Sequence, residues 1–207
     1  SNMDLDAYFD ETGVQNVEAV VVNQPSYLEG LNGMLADIDL TAWKTYLKWS
    51  YVNDMAGRLN SDMDNQNFDF YSRTLSGVEE QRPMWRRAVS TVSGNLGEGV
   101  GEVYVSKHFT PDTKARMVEL VDNLIKSYEL SIKNLDWMGE ETKQKALIKL
   151  SKFTPKIGYP DVWKDYSKLV IQPDDLVGNI TRSALVVHNR ELGKLGGPID
   201  KTEWGMT

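Results

Sequence analysis

Apolar side chains recur every three or four residues along most of this chain, and that spacing restricts the fold to helices. The clearest stretch begins at Thr110-Pro111-Asp112, where a capping hydroxyl, a proline suited to the first helical position and an acid suited to the helix dipole follow one another. The apolar residues that follow share one helical stripe: Met117, Leu120, Val121, Leu124, Tyr128, Ile132 and Leu135. The sequence therefore predicts a long amphipathic helix over 111–135.

A second long helix is predicted over 82–107, and it carries two different stripes. The apolar stripe consists of Trp85, Val89, Val92, Leu96, Val100 and Val103. The stripe of small residues consists of Ser90, Gly94, Gly97 and Gly101. The two stripes lie roughly 120° apart around the helix axis. Since glycine inside a helix costs about 1 kcal/mol relative to alanine, we expect a neighbouring helix to approach the small-residue stripe closely.

The same periodicity predicts six further helices, over 4–11, 26–35, 40–59, 61–75, 140–152 and 173–194. Asp39 is expected to cap the third of these, and Pro173 with two acids is expected to begin the last. The β-prone stretches are expected to be extended, and they lie at 17–22, 156–159 and 168–171. The predicted fold class is therefore all-α, a multi-helix bundle of about eight helices with minor short extended segments.

Length and composition fit a globular protein. The 207 residues, of which 41% are hydrophobic and 26% charged, suffice for a single helical domain over 1–207 or for a fragment of a larger helical region. Residues 1–3 are interpreted as an expression scar plus the start of the natural sequence, and 198–207 as an extended tail. No apolar run is longer than Ala19–Val22, which is far shorter than the roughly 20 residues that a membrane-spanning helix needs.

Charge and cysteine content exclude several function classes. The net charge of −7, from 30 acidic and 23 basic residues, repels phosphate backbones, so nucleic-acid binding is not expected. The sequence contains no cysteine, which excludes disulfides, thiolate metal sites and cysteine nucleophiles in this chain. Acidic doublets at Glu79-Glu80, Glu140-Glu141 and Asp174-Asp175 lie at predicted helix starts. Dipole complementation explains them better than a catalytic carboxylate pair.

The histidines are too few for a zinc hydrolase site. Such a site needs two histidines at positions i and i+4 of one helix, with a glutamate beside the first. Only His108 and His188 are present, far apart in the sequence. His108 is expected in the last turn of a helix, and His188 is interpreted as a structural histidine. A hydrolase that uses His188 with Glu191 is an alternative, but the pair supplies only two metal ligands. We therefore predict no catalytic, cofactor-binding or metal-binding residue in this chain.

Three other patterns favour structural explanations. Gly97-Glu98-Gly99-Val100-Gly101 lacks the full phosphate-loop pattern and falls inside a predicted helix, so helix packing is favoured. The glycosylation sequon Asn179-Ile180-Thr181 also falls inside a predicted helix. The cluster of Trp43, Tyr46 and Trp49 is interpreted as core and rim rather than as a ligand platform.

Two strings of the sequence are informative together: Phe153-Thr154-Pro155-Lys156-Ile157-Gly158-Tyr159-Pro160 and Thr202-Glu203-Trp204-Gly205-Met206-Thr207. Both resemble signature segments of peptidase family M13, the neprilysin-like zinc endopeptidases that include bacterial oligopeptidase O and endothelin-converting enzyme. Further segments resemble the family in its order: Trp43–Trp49, Asn67–Tyr71, Gln81–Ala88, Ala115–Met117, Leu135–Met138, Glu141–Lys143, Pro173–Asn179 and Arg190–Leu192. The resemblance covers about 4–207. Gly139 departs from it, because the family usually has a serine cap there.

The resemblance implies a role for the chain as a helical scaffold and cavity-wall segment of a peptide-hydrolysing zinc metalloendopeptidase. In the family, the zinc ligands, the base glutamate and the substrate-binding edge strand come after the segment that ends here with Thr207. The chain is therefore expected to be inactive alone, without cofactor, while the full-length parent binds Zn. The expected partners are the C-terminal catalytic region of the same polypeptide and, in the parent, peptide substrates. A bacterial cell envelope or periplasm is favoured over the cytoplasm.

The alternative is a non-catalytic helical interaction module that retains the M13 scaffold. The codons that follow Thr207 distinguish the two hypotheses, because a His-Glu-x-x-His motif supports the peptidase and a natural stop codon supports the module.

Overall fold

A computed structural model describes residues 3–14, 17 and 19–205 of the chain. Within these residues the protein forms α-helices and no β-strand, which confirms the predicted all-α fold class. The helices are α1 (Leu5–Glu11), α2 (Pro25–Asp37), α3 (Leu40–Met55), α4 (Ser61–Asn67), α5 (Met84–Asn95), α6 (Gly97–His108), α7 (Pro111–Lys133), α8 (Glu140–Ser151) and α9 (Leu176–Leu192). A 3₁₀ turn at Ala56–Arg58 follows α3, and a π-helical segment at Phe68–Thr74 continues α4.

Two polar residues that the sequence predicts as helix caps, Asp39 and Thr110, do cap helices. The Asp39 carboxylate accepts hydrogen bonds from the backbone N–H groups of Thr41 and Ala42, at 2.8 and 3.0 Å, and α3 begins directly after it. The Thr110 hydroxyl accepts from the N–H of Thr113 at 3.3 Å at the start of α7. Such a cap contributes about 1 kcal/mol. Local chemistry therefore places these helix starts where the sequence predicts them.

The last helix begins later than predicted. Asp174 has a φ of +57°, a left-handed conformation that a right-handed helix cannot include. The helix starts at Leu176, and the Asp175 carboxylate caps it by accepting from the N–H of Gly178 at 3.1 Å. The prediction that Pro173 begins this helix is therefore wrong, because the second acid of the doublet acts as the cap.

The predicted helix over 82–107 is two helices. The chain bends at Leu96, whose φ of −129° and ψ of 38° are not helical, so α5 ends before it and α6 begins after it. Gly94 and Gly97 lie on either side of this break. Glycine has the weakest preference for the helix of any residue except proline, so a break is cheap at this point. The prediction of one continuous helix is wrong.

No helix lies against the glycines of the small-residue stripe within the described part of the chain. A Cβ atom added to Gly94 or Gly97 would meet no atom within 4 Å. A Cβ atom on Gly101 would lie 3.5 Å from the side chain of Trp163, which belongs to the non-helical segment after α8. The close neighbour of this stripe is therefore a loop tryptophan, and the expectation of a helix there is wrong.

The chain divides into two compact units. The first comprises Ser1–Arg87 and Leu169–Gly197, and the second comprises Ala88–Lys168 and Pro198–Thr207. In the first unit, α4 packs on the 3₁₀ turn after α3, and in the second, α7 packs on α8. A single domain over 1–207 stays a prediction.

Little of the apolar surface of the chain is buried. The buried residues in the described part are Ala56, Phe68, Pro160 and Ser183. Many large apolar side chains on the helices are consequently open to solvent.

None of the described helices combines the length and the hydrophobicity that a bilayer crossing requires. The helix α7 has 23 residues and carries charged side chains such as Asp122, Lys126 and Glu129 along its length. Its apolar residues therefore form a stripe rather than a continuous apolar surface.

Candidate functional site

The signature segment 153–160 has a backbone conformation that requires glycine. Gly158 has a φ of +77°, and a Cβ atom added to it would lie 2.7 Å from a ring carbon of Phe109. A side chain at this position would therefore be strained by the backbone and would clash with the ring. The next residue, Tyr159, packs edge-to-face against the same ring, with centroids 6.0 Å apart. Gly158 thus allows Phe109 to pack closely on this segment.

A lysine from the first turn of α7 fixes this segment. The Lys114 Nζ donates to the carbonyl oxygen of Tyr159 and to a carboxylate oxygen of Asp161, both at 2.8 Å. It also lies 4.2 Å from the centroid of the Tyr159 ring, within cation–π distance. That ring stacks on Trp163 at 5.9 Å with an interplanar angle of 12°. One ammonium group therefore holds a carbonyl, a carboxylate and an aromatic face together.

The second signature segment reaches the same place. A cavity of about 520 Å³ lies beside α7, and its wall includes Thr154, Pro155 and Ile157 from the first segment and Thr202 and Trp204 from the second. The Lys156 Nζ donates to the carbonyl oxygen of Glu203 and so ties the two segments together. Val118 and Val121 of α7 complete the apolar part of the wall. Met206 and Thr207 lie outside the described residues.

The tail before Trp204 is ordered by a local turn. The Asp200 carboxylate accepts from the hydroxyl and the backbone N–H of Thr202, at 2.6 and 2.8 Å. The hydrogen bond from the Thr202 hydroxyl, followed by that from its N–H, lowers the pKa of Asp200. The ionised carboxylate is therefore the form that holds this turn.

The two histidines occupy separate structural positions. The His108 ring lies 4.8 Å from the ring of Tyr104 in the last turn of α6. The His188 Nε2 is 2.9 Å from the carbonyl oxygen of Thr12, to which it donates. The Glu191 carboxylate accepts from Lys194 Nζ at 2.6 Å. The structure thus gives His188 and Glu191 other partners.

The donor groups do not fit a zinc ion. Zinc sites in proteins use three or four nitrogen, sulfur or carboxylate ligands that converge on one point. Among the residues that the structure describes, no group of three or more His, Asp or Glu side chains is placed to hold a metal ion. No catalytic step through a metal can be derived from this chain, and the absence of catalytic residues stays a prediction.

A polar clamp that the sequence did not reveal joins α9 to the segment before it. The Asn179 carboxamide accepts from the N–H of Gln172 and donates to its carbonyl oxygen, both at 2.8 Å. The guanidinium of Arg182 donates to the carbonyl oxygen of Val170 at 2.8 Å and to the Asp175 carboxylate at 2.9 Å. The hydrogen bond from Arg182, together with that from the first turn of α9, holds the pKa of Asp175 below its ordinary value.

The sequon asparagine is part of this clamp. Asn179 lies inside α9 with its carboxamide in hydrogen bonds, which supports the structural interpretation of Asn179-Ile180-Thr181. The signal in the sequence is the seven-residue spacing of Asp175 and Arg182, which places the two on one helix face. Periodicity alone could not show that the face is covered by 170–172.

The remaining candidates also have structural explanations. The glycine-rich stretch at 97–101 is helical, and its Glu98 carboxylate accepts from the backbone N–H of Lys164 at 2.8 Å and pairs with its Nζ at 3.0 Å. Trp43 is half-buried and packs edge-to-face on Tyr46 at 6.1 Å, while Tyr46 and Trp49 are exposed. Neither arrangement presents converging polar groups to a ligand.

The acidic doublet at the start of α8 does not form a catalytic pair. Glu140 pairs with Lys143 at 3.0 Å and Glu141 pairs with Lys145 at 2.7 Å, both within the helix. These carboxylates also lie at the positive end of the helix dipole. The doublet therefore stabilises the helix start, as predicted.

Solved structures of two bacterial proteins are similar to this chain. The zinc metalloprotease Zmp1 of Mycobacterium tuberculosis in its open state matches with a TM-score of 0.82 and 47% identity, over 91% of this chain and 29% of that one. PepO from Lactobacillus rhamnosis matches with a TM-score of 0.67 and 27% identity, over 74% of this chain and 25% of that one.

Sequence comparison also finds peptidases as relatives of this chain. The neutral endopeptidase of Lactobacillus helveticus is 31% identical over 194 residues, which are 93% of this chain and 30% of that protein. Mouse neprilysin is 28% identical over 199 residues, 92% of this chain and 26% of that protein. The chain thus spans less than a third of the length of these relatives. The family model described as peptidase family M13 matches residues 1–160, and the chain belongs to this family.

Proposed function

We propose that this chain is a helical scaffold and cavity-wall segment of a zinc metalloendopeptidase of family M13, and that it is inactive alone. The relatives bear the names neutral endopeptidase, neprilysin and zinc metalloprotease, and the chain corresponds to less than a third of each. In this proposal, peptide hydrolysis is the activity of the longer parent, and this segment contributes structure to it.

The observation that carries the proposal is the meeting of both signature segments on α7. Trp204 lines the cavity beside Val121, and Lys156 binds the carbonyl oxygen of Glu203. These contacts hold the tail, as far as Trp204, on the second unit. In the M13 family the substrate-binding strand and the zinc helix follow this tail, so a tail held in place positions them. A scaffold role follows, because small displacements of catalytic groups are costly.

Zinc is held, in this proposal, by residues of the parent beyond this chain. His108 and His188 have other partners, and the described residues do not fit the ion. When bound in the parent, zinc activates a water molecule for attack on the peptide bond. The residues of this chain act at a distance by holding the helices and the tail.

The test compares the full-length parent with the 207-residue chain. Zinc per polypeptide is measured by mass spectrometry, and hydrolysis is measured with a fluorogenic peptide. The parent is expected to hold stoichiometric zinc and to cleave, whereas the chain alone does neither. The matched control is the parent with one zinc-binding histidine replaced by alanine. Zinc-dependent cleavage by the chain alone would overturn the proposal.

The interaction-module alternative rests on the large apolar surface that the helices leave open. It requires a gene that stops after Thr207 and a folded chain that binds a separate protein. A gene that continues into a His-Glu-x-x-His motif excludes it.

A further inference from the structure

A line of exposed apolar side chains runs along the helix α7, while Val118 and Leu130, 37% and 61% exposed, lie on other sides of it. Met117, Leu120, Leu124 and Tyr128 are 41%, 52%, 51% and 63% exposed. Their spacings of three, four and four residues place them along one side of the helix. We refer to these four residues as the open stripe.

A different side of α7 packs within the second unit. Val121, Ile125 and Ile132 are half-buried, and Lys114 on the same side binds the Tyr159 carbonyl and Asp161. At 100° per residue, the centre of this packed side lies about 75° from the centre of the open stripe. The open stripe is therefore a second apolar side of the helix.

The charged residues of α7 identify its solvent side. Asp122, Lys126, Glu129 and Lys133 lie close together around the axis, and Lys133 pairs with Glu129 at 2.5 Å. Their centre is about 165° from the centre of the open stripe. The open stripe is thus opposite the polar side. An amphipathic helix normally covers the side opposite its charges.

We propose that the open stripe seats an amphipathic helix from the part of the parent polypeptide that lies outside this chain. The inference rests on the proposed function, because it requires a longer parent. This chain covers only 29% of the Zmp1 structure that shares its helices, so most of such a parent remains to cover this surface. Spacings of three and four residues suit a second helix, whose side chains fit between those of the stripe.

The character of the stripe favours a permanent contact within one polypeptide. The four positions contain no charged residue, and Arg116 lies at the edge of the stripe, where it pairs with Asp112 at 3.2 Å. Interfaces between separate soluble partners carry more polar groups than contacts inside a single protein. A second copy of the chain is therefore the weaker candidate and becomes an outcome of the test.

The absence of cysteine from this chain allows a labelling test. Leu120→Cys and Leu124→Cys are made singly in the full-length parent, after replacement of any cysteine in its remaining part, and the rate of maleimide labelling is measured. The matched control is Lys126→Cys, on the polar side of the same helix. We expect both stripe positions to label at least about tenfold more slowly than the control, as for side chains that react only after local opening.

Met117→Cys repeats the measurement at the end of the stripe, where less apolar volume is lost and folding is least affected. In the 207-residue chain, all four cysteines are expected to label at similar rates. Circular dichroism verifies that each variant keeps its helices.

Several outcomes would overturn the proposal. In the parent, stripe and control positions that label equally fast show that no helix covers the stripe. In the 207-residue chain, protection that increases with protein concentration shows that a second copy covers it. Protection independent of concentration shows that another part of this chain does. A parent that binds zinc and cleaves peptides but labels rapidly at the stripe rejects this inference and leaves the proposed function intact.

Discussion

At the scale of single residues, three positions have roles that depend on their residue type: Gly158, Asp175 and Asn179. Gly158 combines a left-handed backbone with close contact to Phe109. Asp175 ends the turn before α9 and caps the helix, while Asn179 holds Gln172 by two hydrogen bonds. Each of these roles depends on one backbone conformation or one carboxamide, so a conservative replacement removes it.

Replacement of Gly158 by alanine is expected to destabilise the chain by about 2–3 kcal/mol, since the left-handed backbone and the contact with Phe109 both oppose a Cβ atom. The matched control is Gly196→Ala, where φ is +74° but the Cβ atom meets no atom within 4 Å. The control isolates the backbone cost, about 1 kcal/mol. Urea unfolding measures both. Equal losses in the two variants would show that Phe109 moves away without cost.

The clamp at the start of α9 predicts a pH dependence. Arg182 holds the pKa of Asp175 below its ordinary value of 3.8. Since the folded pKa is the lower one, the ionised carboxylate stabilises the fold above pH 3.8, and this contribution is lost as the pH falls below that value. Urea midpoints measured from about pH 6 to pH 2.5 are expected to fall less in Arg182→Gln than in the unmodified chain.

The control for this prediction is Asp175→Asn, which removes the titrating group and should flatten the same part of the curve. The double variant should show no further change, because both substitutions remove one interaction. A pH profile that Arg182→Gln leaves unchanged contradicts the assignment.

At the scale of elements, periodicity predicts which residues are helical, but the breaks depend on single residues. The start of α7 follows from Thr110 and Pro111, which are visible in the sequence. The bend at Leu96 and the left-handed Asp174 are backbone conformations within otherwise helical patterns. The spacing of apolar residues does not reveal either conformation. The predictions of one continuous helix over 82–107 and of a last helix that begins at Pro173 are therefore wrong.

The candidate site shows a second limit of sequence reasoning. The two signature segments are recognisable as strings, but the hydrogen bond between Lys156 and Glu203 joins residues 47 positions apart. Contacts of this separation are set by how helices pack and not by local preference. The two segments of the site can therefore be recognised in the sequence, but only the structure shows that they meet beside α7.

Helix α5 offers a stabilising substitution. Gly94 lies inside it, and a Cβ atom there meets no atom within 4 Å. Gly94→Ala is therefore expected to stabilise the 207-residue chain by about 0.5–1 kcal/mol through the higher helix preference of alanine. The control is Gly77→Ala, which also adds a methyl group in open space but at a φ of +69°, and so should destabilise. Urea unfolding measures both, and a loss of stability in Gly94→Ala would show that a neighbour reaches α5.

At the scale of the whole molecule, the fixed tail links this segment to the proposed activity. Trp204→Ala in the full-length parent removes the aromatic ring from the cavity beside α7 and loosens the exit of the tail. We expect kcat/KM for a peptide to fall by about tenfold, because misplacement of catalytic groups by a fraction of an ångström already slows the reaction. Zinc content should stay unchanged, since no metal ligand is touched. The control is Ile199→Ala, in the same tail but 90% exposed and outside the cavity wall, which should leave kcat/KM unaltered. If both variants keep full activity, the tail does not position the catalytic region, and the scaffold role must lie in the helices alone.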